Sequence, residues 1–387
     1  MAILVTGSTG YLGSYIVSEL LQNYHQNLLL LIRSQDQQTA KIKLWKALQL
    51  HMDFPQFQQL FNTNIKIFLG DLSNQKFGLG TDEYQFLTKE VQSILHVAAS
   101  LNRKSEKACL NVNLRGTLEV ARLARNISKD HELKRFSHVS TVAVAGMRQD
   151  KVIAEDEAID WNISDYDPYA RTKKFCEHLL REILPDIPLT IFRPSIVLGD
   201  SRQEKTTQFD MVQAFAFLAS LTILPLRPED RLDIVNVDFV SQAVTHIHQK
   251  ENPCFDTYNL SSGIKSQTCR QITDALSTFQ NRRRPFYFPS LIKPVKTMVH
   301  LLAKKRNSSL GQLARLLEVF LPYLLWNTVF DNSRIVQETG ISPSRFTDYC
   351  YPLYRFATQN NFKYPYQELP TSLEEDSHDG SNPTTLG

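Results

Sequence analysis

Residues 2–13, AILVTGSTGYLG, constrain this chain more than any other stretch. An apolar strand signal over 2–6 runs straight into Gly7, Gly10 and Gly13, spaced GxxGxxG, and a helix-like stretch over 11–23 follows. Glycines let the backbone turn sharply and approach a ligand closely. The helix that follows offers free N–H groups and the positive end of its dipole to an anion. In this setting the spacing predicts a pyrophosphate cradle for a dinucleotide, formed by Gly7, Thr9, Gly10, Tyr11, Leu12 and Gly13.

The pattern continues through the first 200 residues. Apolar strand candidates at 28–32, 65–69, 93–97, 135–140 and 189–193 alternate with helix-like segments at 39–60, 82–90, 106–127 and 168–183. Near-continuous apolar strands alternating with helices predict a parallel sheet buried on both faces. The expected fold class is α/β: a Rossmann-type doubly wound sheet with helices on both faces and a smaller C-terminal substrate lobe. Residues 1–200 are expected to form the cofactor domain. It also receives 234–263, where 234–237 and 257–260 are short strand candidates, and 201–367 is expected to form the substrate lobe or lid. The polar, acidic stretch 368–387 is expected to be a disordered tail.

Strand 28–32 leads into Arg33, where an NAD enzyme commonly carries an acidic residue for the ribose hydroxyls. A guanidinium there suits the 2′-phosphate of NADP(H). Asp36, three residues on, keeps NAD(H) open, and Lys41 and Lys43 add positive charge. Asp71 and Leu72, at the end of strand 65–69, are candidates for the adenine end, and the small side chain of Ala98 lets the cofactor pass close. His96 is expected to be a packed strand histidine.

Tyr169 and Lys173 form a YxxxK pair in a predicted helix, so both side chains share one face. A tyrosine of ordinary pKa near 10 is a poor acid at neutral pH, and a neighbouring ammonium favours its phenolate. Upstream, Ser140 and Thr141 close strand 135–140, where a hydroxyl could meet a substrate carbonyl and stabilise the charge growing on it. An intact set of this kind argues against a non-catalytic scaffold.

These motifs together resemble the extended short-chain dehydrogenase/reductase family over roughly residues 2–263. The resemblance rests on TGSTGYLG (6–13), GDL (70–72), HVAAS (96–100), NVNLRGT (111–117), STVAVAG (140–146), YARTKKFCE (169–177), RPSIVLG (193–199), VDFV (237–240) and NLSSG (259–263). It implies Thr141, five residues before Gly146, as the catalytic hydroxyl beside Tyr169 and Lys173. It implies Asn113 as the residue that keeps an active-site water chain, and Pro194 and Ile196 as the segment along the nicotinamide. Glu177, eight residues after the tyrosine, fits as well. Within the family the chain is most similar to the fatty acyl-CoA reductase (male-sterility) and thioester-reductase branch, which more usually has serine where Thr172 stands.

That branch implies an NADPH-dependent reductase of a fatty acyl or carrier-bound thioester, giving an aldehyde or, after a second hydride, an alcohol. The alternative is a dehydrogenase or epimerase of a lipid, steroid or nucleotide sugar. The expected substrate is a small molecule, an acyl thioester on coenzyme A or on a carrier protein. With a net charge of +3 no nucleic-acid partner is expected. Five scattered cysteines read as buried thiols rather than a metal site. No signal peptide is apparent, and the apolar run 211–226 is too short to span a bilayer, so a cytoplasmic location is expected. The stretch 282–315 carries Arg282, Arg283, Arg284, Lys293, Lys296, Lys304, Lys305, Arg306 and Arg315 without an acidic residue, and 316–330 is apolar. It reads as a lid, as a peripheral membrane contact through 282–330, or as a dock for an acidic partner.

Overall fold

The computed structural model describes residues 2–370 apart from 158, 306 and 307. Seven parallel strands form the central sheet: β1 (Ala2–Thr6), β2 (Asn27–Ile32), β3 (Ile65–Leu69), β4 (Val91–His96), β5 (Arg135–Val139), β6 (Leu189–Pro194) and β7 (Thr257–Leu260). Their spatial order is 3-2-1-4-5-6-7, so the winding reverses between β1 and β4. Ligands of such sheets bind at the carboxyl ends of the strands, at that reversal.

Helices α1 (Tyr11–Gln22), α2 (Gln37–Leu48), α3 (Phe54–Asn64), α4 (Thr81–Glu90), α5 (Gly116–Asp130) and α6 (Pro168–Ile183) connect the first six strands. The sheet is buried on both sides because its strands are apolar at successive positions. Ile3, Val5, Leu28 and Leu30 pack under α1 and α2 with Ile16, Leu20, Leu44 and Trp45. Leu4, Leu29, Leu31 and Phe136 pack on the opposite face against α4, α5 and α6 through Leu87, Val120, Leu123 and Leu180.

Three of the expected secondary-structure segments change. The stretch 39–60 is two helices, not one, because Asp53 caps α3 by accepting from Gln56 N at 2.9 Å and Pro55 sits in its first turn. A proline ring there opposes helix running through from 51. The stretch 106–127 widens to a π-helical turn over Leu110–Arg115 before α5 begins. Of 234–237, only Ile234–Val235 is strand, paired with Ile196–Val197.

Beyond β6 lie α7 (Asp210–Ser220), α8 (Val237–Gln249), α9 (Cys269–Phe279), α10 (Ile292–Ala303), α11 (Ser309–Leu324) and α12 (Phe346–Gln359). Helix α8 covers the sheet beside α1, while α7, α9 and α12 share a second core around Met211, Ile272 and Leu353. Helices α10 and α11 pack on α7 through Val299, Ala314 and Leu317. The expected tail boundary at 368 moves outward. Gln49 exchanges hydrogen bonds with the Gln367 backbone, the Trp45 indole N–H donates to Glu368 O, and Leu369 packs on the core. From 371 onward the expected tail lies outside the described residues, as does Arg306. Among the described residues no helix is long and apolar enough to cross a membrane.

Leu4 is fully buried in the sheet core. Leu4→Ala should lower the unfolding free energy by about 2–5 kcal/mol, measured by urea denaturation.

Candidate active site

A cavity of about 1000 Å³ opens at the carboxyl ends of β1, β4, β5 and β6. Gly7 turns there with φ 78°, and a Cβ on it would stand 2.6 Å from Ala98 N. On Gly13 a Cβ would stand 1.9 Å from Gly7 O, so α1 can start this close to the turn only with glycine. No side chain caps α1 at Gly10, and Thr9, Tyr11 and Leu12 face the cavity. The first-turn N–H groups of a helix have no partner within it, so an uncapped start on a cavity suits a pyrophosphate.

Arg33 and Asp71 line the same cavity, 3.7 Å apart, with the Arg33 side chain 76% exposed. Asp71 also accepts from Ser73 N and Ser73 Oγ, and Leu72 lines the wall beside it. Asp36 is committed elsewhere: it caps α2, accepting from Thr39 N at 2.7 Å and from Thr39 Oγ1 at 2.8 Å. Lys43 Nζ donates to Arg33 O, whereas Lys41 turns away onto the Phe61 ring. Ala98, Pro194 and Ile196 line the middle of the cavity.

At its inner end the cavity reaches Thr141, Tyr169 and Lys173. Thr141 follows β5 and accepts from Ala143 N at 3.3 Å. Tyr169 and Lys173 lie on the first turns of α6, which Asp167 caps by accepting from Ala170 N at 2.8 Å. Burial raises the Tyr169 pKa, an effect opposed by the Arg103 guanidinium and by a hydrogen bond with Thr141. Burial lowers Lys173 to about 8, and its Nζ donates to Val139 O at 2.6 Å.

Behind these groups lies a buried ion pair. Arg193 donates from Nη2 to Glu177 Oε2 at 2.6 Å and from Nε to Oε1 at 3.0 Å, and Ser140 Oγ donates to the same carboxylate. Ser140 and Thr141 both line the cavity, and the Ser140 hydroxyl is committed to Glu177. Asn113 is fully buried and does not line the cavity. Its Oδ1 accepts from Ser100 N, and its Nδ2 donates to Ser100 O and to Thr172 Oγ1 at 3.1 Å. It ties the loop after β4 to α6, and Thr172 supplies the acceptor. His96 bonds Thr6 and Thr117, and burial lowers its pKa to about 3.

Several cavity residues carried no sequence signal. Arg103 pairs with Asp167 at 3.0 Å and lies over the Tyr169 ring. Asp233 accepts from Ser262 N and Ser195 Oγ through Oδ1, and burial pushes its pKa up to about 7. Within 282–330 the cavity lining begins at Gln312 and takes in Arg315 of the basic stretch. Leu316, Val319, Phe320, Tyr323 and Trp326 form a cavity wall, which leaves the Arg282–Arg284 turn and the exposed Met298 and Leu301 of α10 on the exterior.

A sequence profile described as male sterility protein matches residues 5–244. The chain belongs to this family. It is an NAD(P)-dependent oxidoreductase of the extended short-chain dehydrogenase/reductase type. Over 329 residues it is 26% identical to the nonribosomal peptide synthetase asaC of Aspergillus flavus, covering 82% of this chain and 31% of that protein. Over 235 residues it is 27% identical to fatty acyl-CoA reductase wat of Drosophila melanogaster, covering 54% of this chain and 45% of that protein. It thus spans less than half the length of each of these relatives. Among solved structures, the terminal R domain from the myxalamid biosynthetic pathway has a TM-score of 0.78 at 23% identity, covering 93% of this chain and 91% of that one. The UDP-glucuronic acid 4-epimerase from Bacillus cereus in complex with NAD has a TM-score of 0.62 at 18% identity, covering 94% of this chain and all of that one. These two likenesses are of fold. What family membership carries to this chain is oxidoreductase chemistry with a nicotinamide dinucleotide.

Gly7→Ala should abolish NADPH binding, measured by nicotinamide fluorescence, while the far-ultraviolet dichroism stays native. Asp233 sets a second expectation. Its folded pKa lies above the unfolded value, so the stability it contributes is full below about pH 4 and is lost as pH rises toward about 7. Asp233→Asn should flatten that fall in Tm between about pH 4 and about pH 8, leaving the part that Glu155, also raised to about 7 by burial, still supplies.

Proposed function

We propose that this reductase uses NADPH to convert an acyl thioester, on coenzyme A or on a carrier protein, to the aldehyde. The observation that supports this most is one continuous cavity. It runs from the glycine cradle past Thr141, Tyr169 and Lys173 to an apolar stretch between α7 and α11, walled by Met211, Leu316, Val319 and Phe320. A pocket that is polar at one end and apolar at the other suits an acyl chain whose carbonyl lies at the hydroxyls.

In this reading Gly7, Thr9, Gly10, Tyr11, Leu12 and Gly13 hold the pyrophosphate. Arg33 meets the 2′-phosphate, Asp71 and Leu72 flank the adenine, and Ala98, Pro194 and Ile196 border the nicotinamide. When bound, the reduced nicotinamide supplies a hydride to the carbonyl carbon. The hydroxyls of Thr141 and Tyr169 donate to the carbonyl oxygen, where negative charge grows. Lys173, held by Val139 O, orients the ribose beside Tyr169, and Asn113 positions α6 through Thr172. When the tetrahedral oxygen re-forms its double bond, the C–S bond breaks and the thiolate leaves, giving aldehyde and thiol. The fatty acyl-CoA reductase among the relatives favours a thioester of this kind.

Purified protein with NADPH and acyl-coenzyme A or an acyl-carrier thioester should lose nicotinamide absorbance and release thiol. Loss with neither substrate at any chain length would sink the reading, and a tightly retained NAD after purification would favour an epimerase instead. Tyr169→Phe should lower kcat about a hundredfold or more while leaving NADPH binding intact. Arg33→Ala should raise KM for NADPH about tenfold, a modest loss because the site is exposed, and leave KM for NADH nearly unchanged.

A further inference from the structure

Arg103 sits where four parts of the molecule meet, in the loop that leaves β4. Its guanidinium carbon lies 4.6 Å from the centre of the Tyr169 ring and 4.7 Å from that of Tyr323, near the end of α11. From Nη1 it donates to Asp167 Oδ2 at 3.0 Å and to the Tyr323 hydroxyl. Tyr323 OH donates to the same Asp167 oxygen at 2.9 Å. The other Asp167 oxygen caps α6. Tyr166 stacks on Tyr323 at 4.8 Å, and Trp326 meets Tyr166 edge-on at 5.4 Å. The next loop residue, Lys104, pairs with Glu318 of α11, which also bonds His300 Nδ1 at 2.7 Å. Two successive loop residues thus clasp α11.

We propose that Arg103 is a positioning residue for Tyr169: clamped by Asp167 and Tyr323, its guanidinium fixes the tyrosine ring and supplies the permanent positive charge beside it. This rests on Tyr169 being the acid of the proposed reaction. The spacing of Tyr169 and Lys173 alone assigns that charge to the lysine. In the structure the lysine ammonium is drawn to the Val139 carbonyl, and its own proton is weakened by burial. A guanidinium keeps its charge at every working pH, and a cation on a ring face is attracted by the ring as well as by a phenolate. The charged and titratable groups around Tyr169 are Arg103 from the loop, Asp167 and Lys173 from α6, Cys109 from the helical turn before α5, and Tyr323 from α11. Burial, Asp167 and Cys109 all disfavour the phenolate, and Arg103 opposes them. Because Tyr323 belongs to α11, the setting of Tyr169 is coupled to the packing of that helix over the cavity.

The test titrates Tyr169 itself in the full-length protein with NADP⁺ bound. Ultraviolet difference spectra of each protein against its Tyr169→Phe partner isolate the one tyrosinate, so the readout needs no substrate. Arg103→Met should move the Tyr169 midpoint up by about one pH unit, a tenfold change, and Arg103→Lys should restore most of it. Arg103→Gln, which keeps a donor for Asp167, should show the same upward movement and carries the test if Arg103→Met does not fold. In turnover, the kcat/KM profile should move with the midpoint. An unchanged midpoint in the Met or Gln variant, or a loss of kcat/KM equal at every pH, would overturn the assignment. A normal Tyr169 shift in a protein that reduces no thioester would uphold Arg103 and reject only the proposed substrate.

Discussion

The approach of Gly7 to Ala98 is the contact on which the site depends. The turn after β1 passes so close to the loop leaving β4 that a Cβ would strike backbone. The start of α1 then comes closer still to the turn, at Gly13. These two approaches bring an uncapped helix start to the point where the sheet reverses its winding. The turn and the helix can approach this closely only because Gly7 and Gly13 carry no side chain. All seven strands run parallel, so their carboxyl ends converge on that point and deliver Thr141 after β5 and Pro194 at the end of β6 to one wall.

A second constraint is burial of charge and of ionisable groups beside that wall. Glu177 is fully buried and is tolerable because Arg193 meets it with two parallel hydrogen bonds. The pair fixes Ser140 and so sets the backbone that carries Thr141. Tyr169 and Lys173 are nearly as buried, and burial moves each toward its neutral form. A buried phenol beside a fixed guanidinium is a way to hold an acid that is dry yet still able to part with its proton.

Local features were the legible ones. The GSTGYLG turn and the strands around it read correctly because each strand is an unbroken apolar run and each glycine has a local reason. The Tyr169–Lys173 spacing read correctly as a shared helix face. The division of 39–60 had its own signal in Asp53 and Pro55, a capping residue with a proline two positions on. Asp36 kept NAD(H) open by its position beside Arg33, and the geometry of α2 shows it capping a helix. Arg103 could not be read at all. Its partners Asp167 and Tyr323 lie 64 and 220 residues away, and no local pattern encodes a contact of that range. The wall formed by 316–330 was ambiguous for a related reason: an apolar helix lining a cavity has the same composition as one lying on a membrane.

The proposed reaction delivers a hydride to a thioester carbonyl held at Thr141 and Tyr169. Mass spectrometry of the product formed from an acyl thioester and NADPH deuterated at the transferring position tests it most directly. Hydride transfer to the thioester should give an aldehyde, trapped as its hydrazone, with one deuterium on the former carbonyl carbon, or an alcohol with two. Recovery of the thioester intact and unlabelled, with deuterium found only in the carbinol of an added ketone, would contradict it.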